Sequence, residues 1–99
     1  MTIEDWRTEI DTVDGELLQL LNRRARLAVK VGAVKRSAGL PLCNPERESE
    51  VLARACREND GPLDDLAIGR IFRRIIHESR RVEARTFEST HTDTHEVLS

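Results

Sequence analysis

Tyrosine is absent from this 99-residue chain, and one Trp and two Phe are its only aromatics. Charge of one sign is scarce too: 16 basic residues stand against 18 acidic ones, for a net charge of −2. A nucleic-acid surface usually shows a clear basic excess and stacking aromatics, so both shortages argue against one. Two cysteines, Cys43 and Cys56, are too few for a disulfide framework and lack the spacing of a zinc site. No apolar run approaches the roughly 18 residues that a membrane span requires. The opening Met-Thr-Ile-Glu-Asp-Trp lacks the charged-then-apolar pattern of a signal segment. The length allows one domain with one modest core. A single cytoplasmic domain is expected, with neither nucleic acid nor membrane as a partner. What the chain has in quantity is Arg, fourteen of its sixteen basic residues. The guanidinium suits carboxylate recognition, and an Arg-favouring codon bias explains the count equally well.

Apolar residues recur at Trp6, Ile10, Val13, Leu17, Leu20, Leu27, Val31 and Val34, in steps of four and three. That is the period of one helical face and not of a strand. Thr2 can cap the segment, with Asp5 placed to complete a capping box. Gly39 supplies a stop, and no proline intervenes before Pro41. Gly15 and Gly32 each cost about 1 kcal/mol of helix propensity, yet one helix of about 35 residues is predicted. Asn44 followed by Pro45 starts a second helix, whose inner face carries Val51, Leu52, Ala55 and Cys56. It stops in the turn at 58–62. A third helix follows Pro62, with Leu63, Leu66, Ile68, Ile71, Phe72, Ile75, Ile76 and Val82 on its apolar side. The fold class is therefore all-α, a three-helix protomer over 1–89. Residues 90–99 are polar and aperiodic and are expected to form a disordered tail.

The length of the first helix carries an implication. About 35 residues span roughly 52 Å, whereas a compact domain of this size has a radius of gyration near 13 Å. Two shorter helices of the same chain cannot cover it, so an intertwined homodimer is expected.

The apolar stripe has one fault. Its alternation calls for an apolar residue at 24, and Arg24 stands there. A buried Arg needs an anion, unless it snorkels outward or pairs with a core carboxylate. Arg24, Ala28, Val31 and Lys35 share a face, with a cation at each end roughly 16 Å apart. On the second helix, Glu48 lies three and four residues before Val51 and Leu52, with Arg47 beside it. A first-turn glutamate facing the helix dipole and an exposed Arg are the plainer alternatives. On the third, Ser79 falls where an apolar residue is expected and Glu83 follows on the same side; a small packing residue is the plainer reading of Ser79. Jointly, three helices turn polar residues inward, and no Cys, His or Ser–His pair is placed for nucleophilic catalysis. That pattern describes a pocket for a small polyanion, served by electrostatics and hydrogen bonds.

Other signals weigh less. His91, His95 and Glu96 have metal-ligand spacing but no apolar face to hold it, so no metal site is expected. Arg70, Arg73, Arg74, Arg80, Arg81 and Arg85 read as a solvated face, or as a docking surface for an acidic partner. Cys56 reads as a small core residue.

With these positions set out, the chain resembles the all-helical class of chorismate mutases over roughly Ile3 to Glu88. The resemblance rests on Trp-Arg-Thr-Glu-Ile-Asp-Thr-Val-Asp (6–14), Leu-Leu-Asn-Arg-Arg-Ala (20–25) and Val-Gly-Ala-Val-Lys (31–35). Asn-Pro-Glu-Arg-Glu (44–48) and Ile-Ile-His-Glu-Ser-Arg-Arg-Val-Glu (75–83) complete it. It implies a dimer whose long first helices cross, and a cofactor-free pericyclic rearrangement of chorismate, a dicarboxylate, to prephenate on the way to Phe and Tyr. It further implies that Arg24 pairs with one carboxylate while Arg7 reaches the other from the partner subunit. Lys35 meets the ether oxygen, where charge grows as the C–O bond breaks. Arg47 lines the pocket, Glu48 binds the ring hydroxyl and Ser79 helps hold a carboxylate. Asn44 stands where many members carry Asp. Glu83 stands where some carry Gln, so it should work protonated, with its pKa raised by burial. The family alternative is isochorismate–pyruvate lyase on the same fold, which the acid at Glu48 disfavours. A non-catalytic helical dimer is the alternative from another class. The basic third helix leaves room for docking to another enzyme of the pathway.

Overall fold

Thr2 opens helix α1 (Ile3–Ser37) with a reciprocal capping box. Asp5 N–H donates to Thr2 Oγ1 at 3.2 Å, and Thr2 N–H donates to Asp5 Oδ2 at 2.8 Å. The Thr2 backbone bond, with help from its hydroxyl, holds the Asp5 carboxyl below its ordinary pKa. At the other end Gly39 takes φ 71°. Its N–H donates to the Arg36 carbonyl at 3.1 Å, and Leu40 N–H donates to that of Lys35 at 2.8 Å. This pair of bonds closes a helix on a left-handed residue and reverses the chain. The expected length of α1 is the observed one.

Helix α2 (Pro45–Glu58) is capped by Asn44, whose Oδ1 accepts from Arg47 N–H at 3.1 Å. Val51, Leu52, Ala55 and Cys56 form its half-buried face. In the following turn the Asn59 amide donates to the Leu63 carbonyl at 2.7 Å and to Asp65 Oδ1 at 3.2 Å. Helix α3 (Asp65–Leu98) begins where Ala67 N–H donates to Asp64 Oδ1 at 2.8 Å. Leu63, expected on the apolar side of this helix, precedes that cap and belongs to the turn. The cap is Asp64, because a carboxylate can accept the free N–H groups of a first turn.

These features come from a computed structural model, which describes the main chain through residue 98 and the side chains of residues 1–86. The tail expected over 90–99 lies outside the fully described residues, as do His91, His95 and Glu96. Among the described residues there are three helices and no strand. None is long and apolar enough to cross a membrane.

Helix α3 packs against both α1 and α2, which among the described residues do not contact each other. Toward α3, α1 presents Arg24, Ala25, Ala28, Gly32 and Lys35, all buried or half-buried. Small residues at 25, 28 and 32 let the two helices approach. The first half of the apolar stripe is left uncovered, because burial on α1 begins only at residue 21. Trp6, Ile10, Val13, Leu17 and Leu20 are 50–58% exposed, and every residue from 1 to 20 is exposed. The protomer accordingly has a radius of gyration of 17.8 Å and extents of 63 × 31 × 15 Å. On α3 the buried positions are Gly69, Ile76, Ser79 and Glu83, whereas Leu66 and Ile71 remain 61% and 45% exposed. Ile76 is the one buried large apolar side chain among the described residues.

Candidate active site

The inward faces of the three helices enclose a cleft of about 290 Å³, near the lower end of the range for small-molecule sites. From α1 it takes Arg24, Leu27, Ala28, Val31 and Lys35; from the loop, Leu42 and Asn44. Helix α2 adds Arg47, Glu48 and Val51, and α3 adds Ile76, Ser79, Arg80 and Glu83. Every candidate residue singled out in the sequence lines this cleft except Arg7. That residue pairs with Glu4 at 2.9 Å and is 68% exposed. It lies seventeen positions before Arg24, roughly 25 Å along α1, so one protomer cannot bring it to the cleft.

Local structure fixes each polar group. Arg24 Nη1 donates to Ser79 Oγ at 3.1 Å, tying α1 to α3. A Ser in place of an apolar residue at 79 thus supplies an acceptor where Arg24 enters the protein. At the other end, the left-handed turn at Gly39 swings the chain back. The Leu42 carbonyl then accepts from Lys35 Nζ at 3.2 Å. Asn44 uses its side-chain oxygen to cap α2, which holds Arg47 and Glu48, in the first turn of that helix, at the cleft. Arg47 itself pairs with Glu50 at 3.3 Å and stays half-exposed at the rim.

Glu83 is 9% exposed and lies against the backbone of α1 at Gly32. A Cβ at that position would meet Glu83 Oε2 at 3.1 Å. Burial raises the Glu83 pKa, and the nearby charges of Lys35, Arg36 and Arg80 partly oppose the shift. Glu48 is less enclosed and forms an ion pair with Arg80 across the α2–α3 interface.

Arg80 is a correction to the sequence reading, which placed it on the solvated basic face of α3. It lies four residues after Ile76 and three before Glu83, both buried, so the helical period turns it inward. That spacing was present in the sequence, but the surrounding run of Arg obscured it. Arg70, Arg73 and Arg74 do line an open surface with His77. Leu42 was also missed, because its backbone carbonyl does the work and no side-chain pattern marks it. Cys56 is half-buried, its thiol directed to the Asp65 carbonyl at 3.7 Å. Among the described residues no cluster of three His, Cys, Asp or Glu could hold a metal ion.

The lining therefore carries four cations, Arg24, Lys35, Arg47 and Arg80, against two carboxylates, one of them biased toward its neutral form. Such a cleft suits a compact dianion with a few further polar atoms. Several known proteins are similar to this chain. The chain is 41% identical over 78 residues to a bifunctional chorismate mutase/prephenate dehydratase of Aquifex aeolicus. The match covers 75% of this chain and 22% of that relative, so the chain spans about a fifth of its length. A chorismate mutase of Thermus thermophilus superposes with a TM-score of 0.82 at 40% identity, covering 84% of this chain and 94% of that one. The Helicobacter pylori chorismate mutase, solved in complex with prephenate, gives a TM-score of 0.80 at 28% identity, covering 87% and 93%. The sequence profile of the chorismate mutase type II family matches residues 6–84, most of the chain, and the protein belongs to that family.

Proposed function

We propose that the chain converts chorismate to prephenate by electrostatic and conformational catalysis, without a covalent intermediate. The observation that carries this reading is the cleft itself, in which cations from all three helices converge on one small volume. Arg24, supported by Ser79, binds one substrate carboxylate. Gripping both carboxylates selects the compact conformer in which the two reacting carbons lie close. Lys35, held by the Leu42 carbonyl, and the protonated Glu83 donate hydrogen bonds to the ether oxygen. Negative charge develops there as the C–O bond breaks, so fixed donors stabilise the transition state more than the ground state. Arg47 lines the mouth, Asn44 orients it and Glu48 accepts from the ring hydroxyl.

The second carboxylate is met by Arg7 of a second copy. Two features support this part of the reading. One is the half-exposed apolar stripe along the first half of α1. The other is its spacing: Trp6, Ile10, Val13, Leu17, Leu20 and Arg24 are symmetric about position 15. Two such helices crossing antiparallel about a two-fold axis pair Val13 with Leu17, Ile10 with Leu20 and Trp6 with Arg24. An isologous contact of this kind is self-complementary, and it sets Arg7 beside the partner's Arg24.

The test is direct. Purified chain mixed with chorismate should consume its absorbance and yield prephenate. Pyruvate as the product would select the lyase instead, and no turnover at all would leave a non-catalytic dimer.

A further inference from the structure

Arg80 touches no group to which the reaction assigns a task other than Glu48, yet it is placed where it governs both acids of the cleft. Its guanidinium forms an ion pair with Glu48, with both side chains about two-thirds enclosed, and it contributes to the field on Glu83. The remaining charged groups facing these two carboxylates are Lys35, Arg24 and Arg47 on the cleft wall, with Arg36 also acting on Glu83. Without Arg80, Glu48 would be an unpaired carboxylate in a half-buried pocket, and a positively charged ligand group would satisfy it. With Arg80 in place the charge of Glu48 is already answered. Its free lone pairs can still accept from a neutral hydroxyl, but an ammonium brought to the same point meets a guanidinium a few ångströms away.

We propose that Arg80 is a specificity-determining residue, which makes the cleft select a ring substituent that is a neutral hydroxyl and reject one that is a cationic amine. The inference rests on the reading of the chain as a chorismate mutase and deepens it. It differs from a role for Arg80 in holding a substrate carboxylate, because the carboxylates are common to the hydroxyl and amine forms of the substrate. A carboxylate-binding Arg80 would affect both alike. It differs equally from a purely structural clamp between α2 and α3, whose loss would lower turnover of both substrates by the same factor.

The experiment compares kcat/KM for chorismate and for 4-amino-4-deoxychorismate, which carries the amine in place of the ring hydroxyl. The enzymes are the intact wild type and the variants Arg80→Gln, Arg80→Val and Arg80→Lys. Removing the charge should raise the amine-to-hydroxyl ratio by about tenfold, since like charges a few ångströms apart in a partly enclosed site repel strongly. Arg80→Lys, which keeps the charge, should hold the ratio near the wild-type value. A ratio unchanged in both neutral variants, whatever the loss in absolute rate, would overturn the proposal. If one neutral variant fails to fold, as helix content by circular dichroism would reveal, the other still decides the ratio. Wild-type enzyme that consumes neither substrate would instead remove the underlying reading, an outcome separate from an unmoved ratio.

Discussion

Gly32 is the most sensitive place to test how the cleft is held, because a single methyl group there acts on one functional side chain. A Cβ at position 32 would stand 3.1 Å from Glu83 Oε2, 3.3 Å from Cγ and 3.4 Å from Cδ, inside the usual carbon contact distance of about 3.5–4.0 Å. Glu83 is 9% exposed, so it cannot swing freely into solvent. It can yield by twisting a χ angle, at a cost of about 1 kcal/mol. In the same change the helix gains about 1 kcal/mol from replacing an interior glycine with alanine. The two effects offset, and Gly32→Ala should melt within a few degrees of wild type, given about 4–8 °C per kcal/mol for a domain of this size. Activity should behave differently. A carboxyl shifted by several tenths of an ångström no longer meets the ether oxygen in line, and misplacement on that scale costs about ten- to a hundredfold. The measurement is kcat/KM beside a thermal melt, repeated in a Glu83→Ala background, where the added methyl should cost nothing further. Wild-type kcat/KM in Gly32→Ala, or an equal additional loss without the Glu83 carboxyl, would refute the positioning argument.

Three further outcomes can be checked. The Glu83 pKa is raised above its ordinary value of 4.5 by burial; the folded chain thus favours the protonated form. Stability from that form is complete below the unfolded pKa and is lost as pH rises through the folded one. The kcat/KM profile should fall over the same interval and flatten in Glu83→Gln, and a wild-type profile flat from acid to alkaline pH would contradict the assignment. Arg24→Ala should cut kcat by at least about a hundredfold and leave Ser79 without its donor, while sedimentation shows an unchanged assembly; near-normal turnover would rule out its role. Chains carrying Ile10→Cys and Leu20→Cys should cross-link into covalent dimers on mild oxidation, because antiparallel pairing about position 15 brings the two together, whereas Ile10→Cys with Leu27→Cys should not. Equal cross-linking of both pairs, or of neither, would reject the register.

The sequence carried more of this molecule than its length suggests, and the reasons differ by element. Both caps of α1 and the cap of α2 were legible because each is a local pattern: Thr2 with Asp5, Gly39, Asn44 with Pro45. Arg24, Ser79 and Glu83 were legible as interruptions of an apolar period, since a polar residue on an inward face has few structural reasons to be there. Arg80 was not legible by that route. It is one Arg in a run that includes Arg73, Arg74 and Arg81, and charge alone does not separate a solvated guanidinium from an inward one. The pocket face of α1 was legible in Arg24, Ala28, Val31 and Lys35, but Ala25 and Gly32 were not singled out as packing residues. Small residues such as these carry no periodic apolar signal, although close approach between helices favours them. A backbone donor or acceptor such as the Leu42 carbonyl leaves no trace in residue identity at all.

The positions of these polar residues explain why the protomer has so little core. Among the described residues, helix α3 alone meets both of the others, so its inward face is where an ordinary three-helix domain would concentrate its apolar layer. Here that face carries Ser79, Arg80 and Glu83, and among the described residues Ile76 alone is a buried large apolar side chain. A polar cleft has replaced the centre of the domain. The apolar surface that could compensate sits instead along the first half of α1, from Trp6 to Leu20, uncovered within one chain. Burying one Leu or Ile there is worth about 1.5–3 kcal/mol, and a two-fold contact buries each member of the stripe twice. On this account assembly supplies the stability that the cleft displaced. In the proposed dimer the same antiparallel contact would deliver Arg7 to the partner's cleft, so that stability and the last substrate contact would come from one interface.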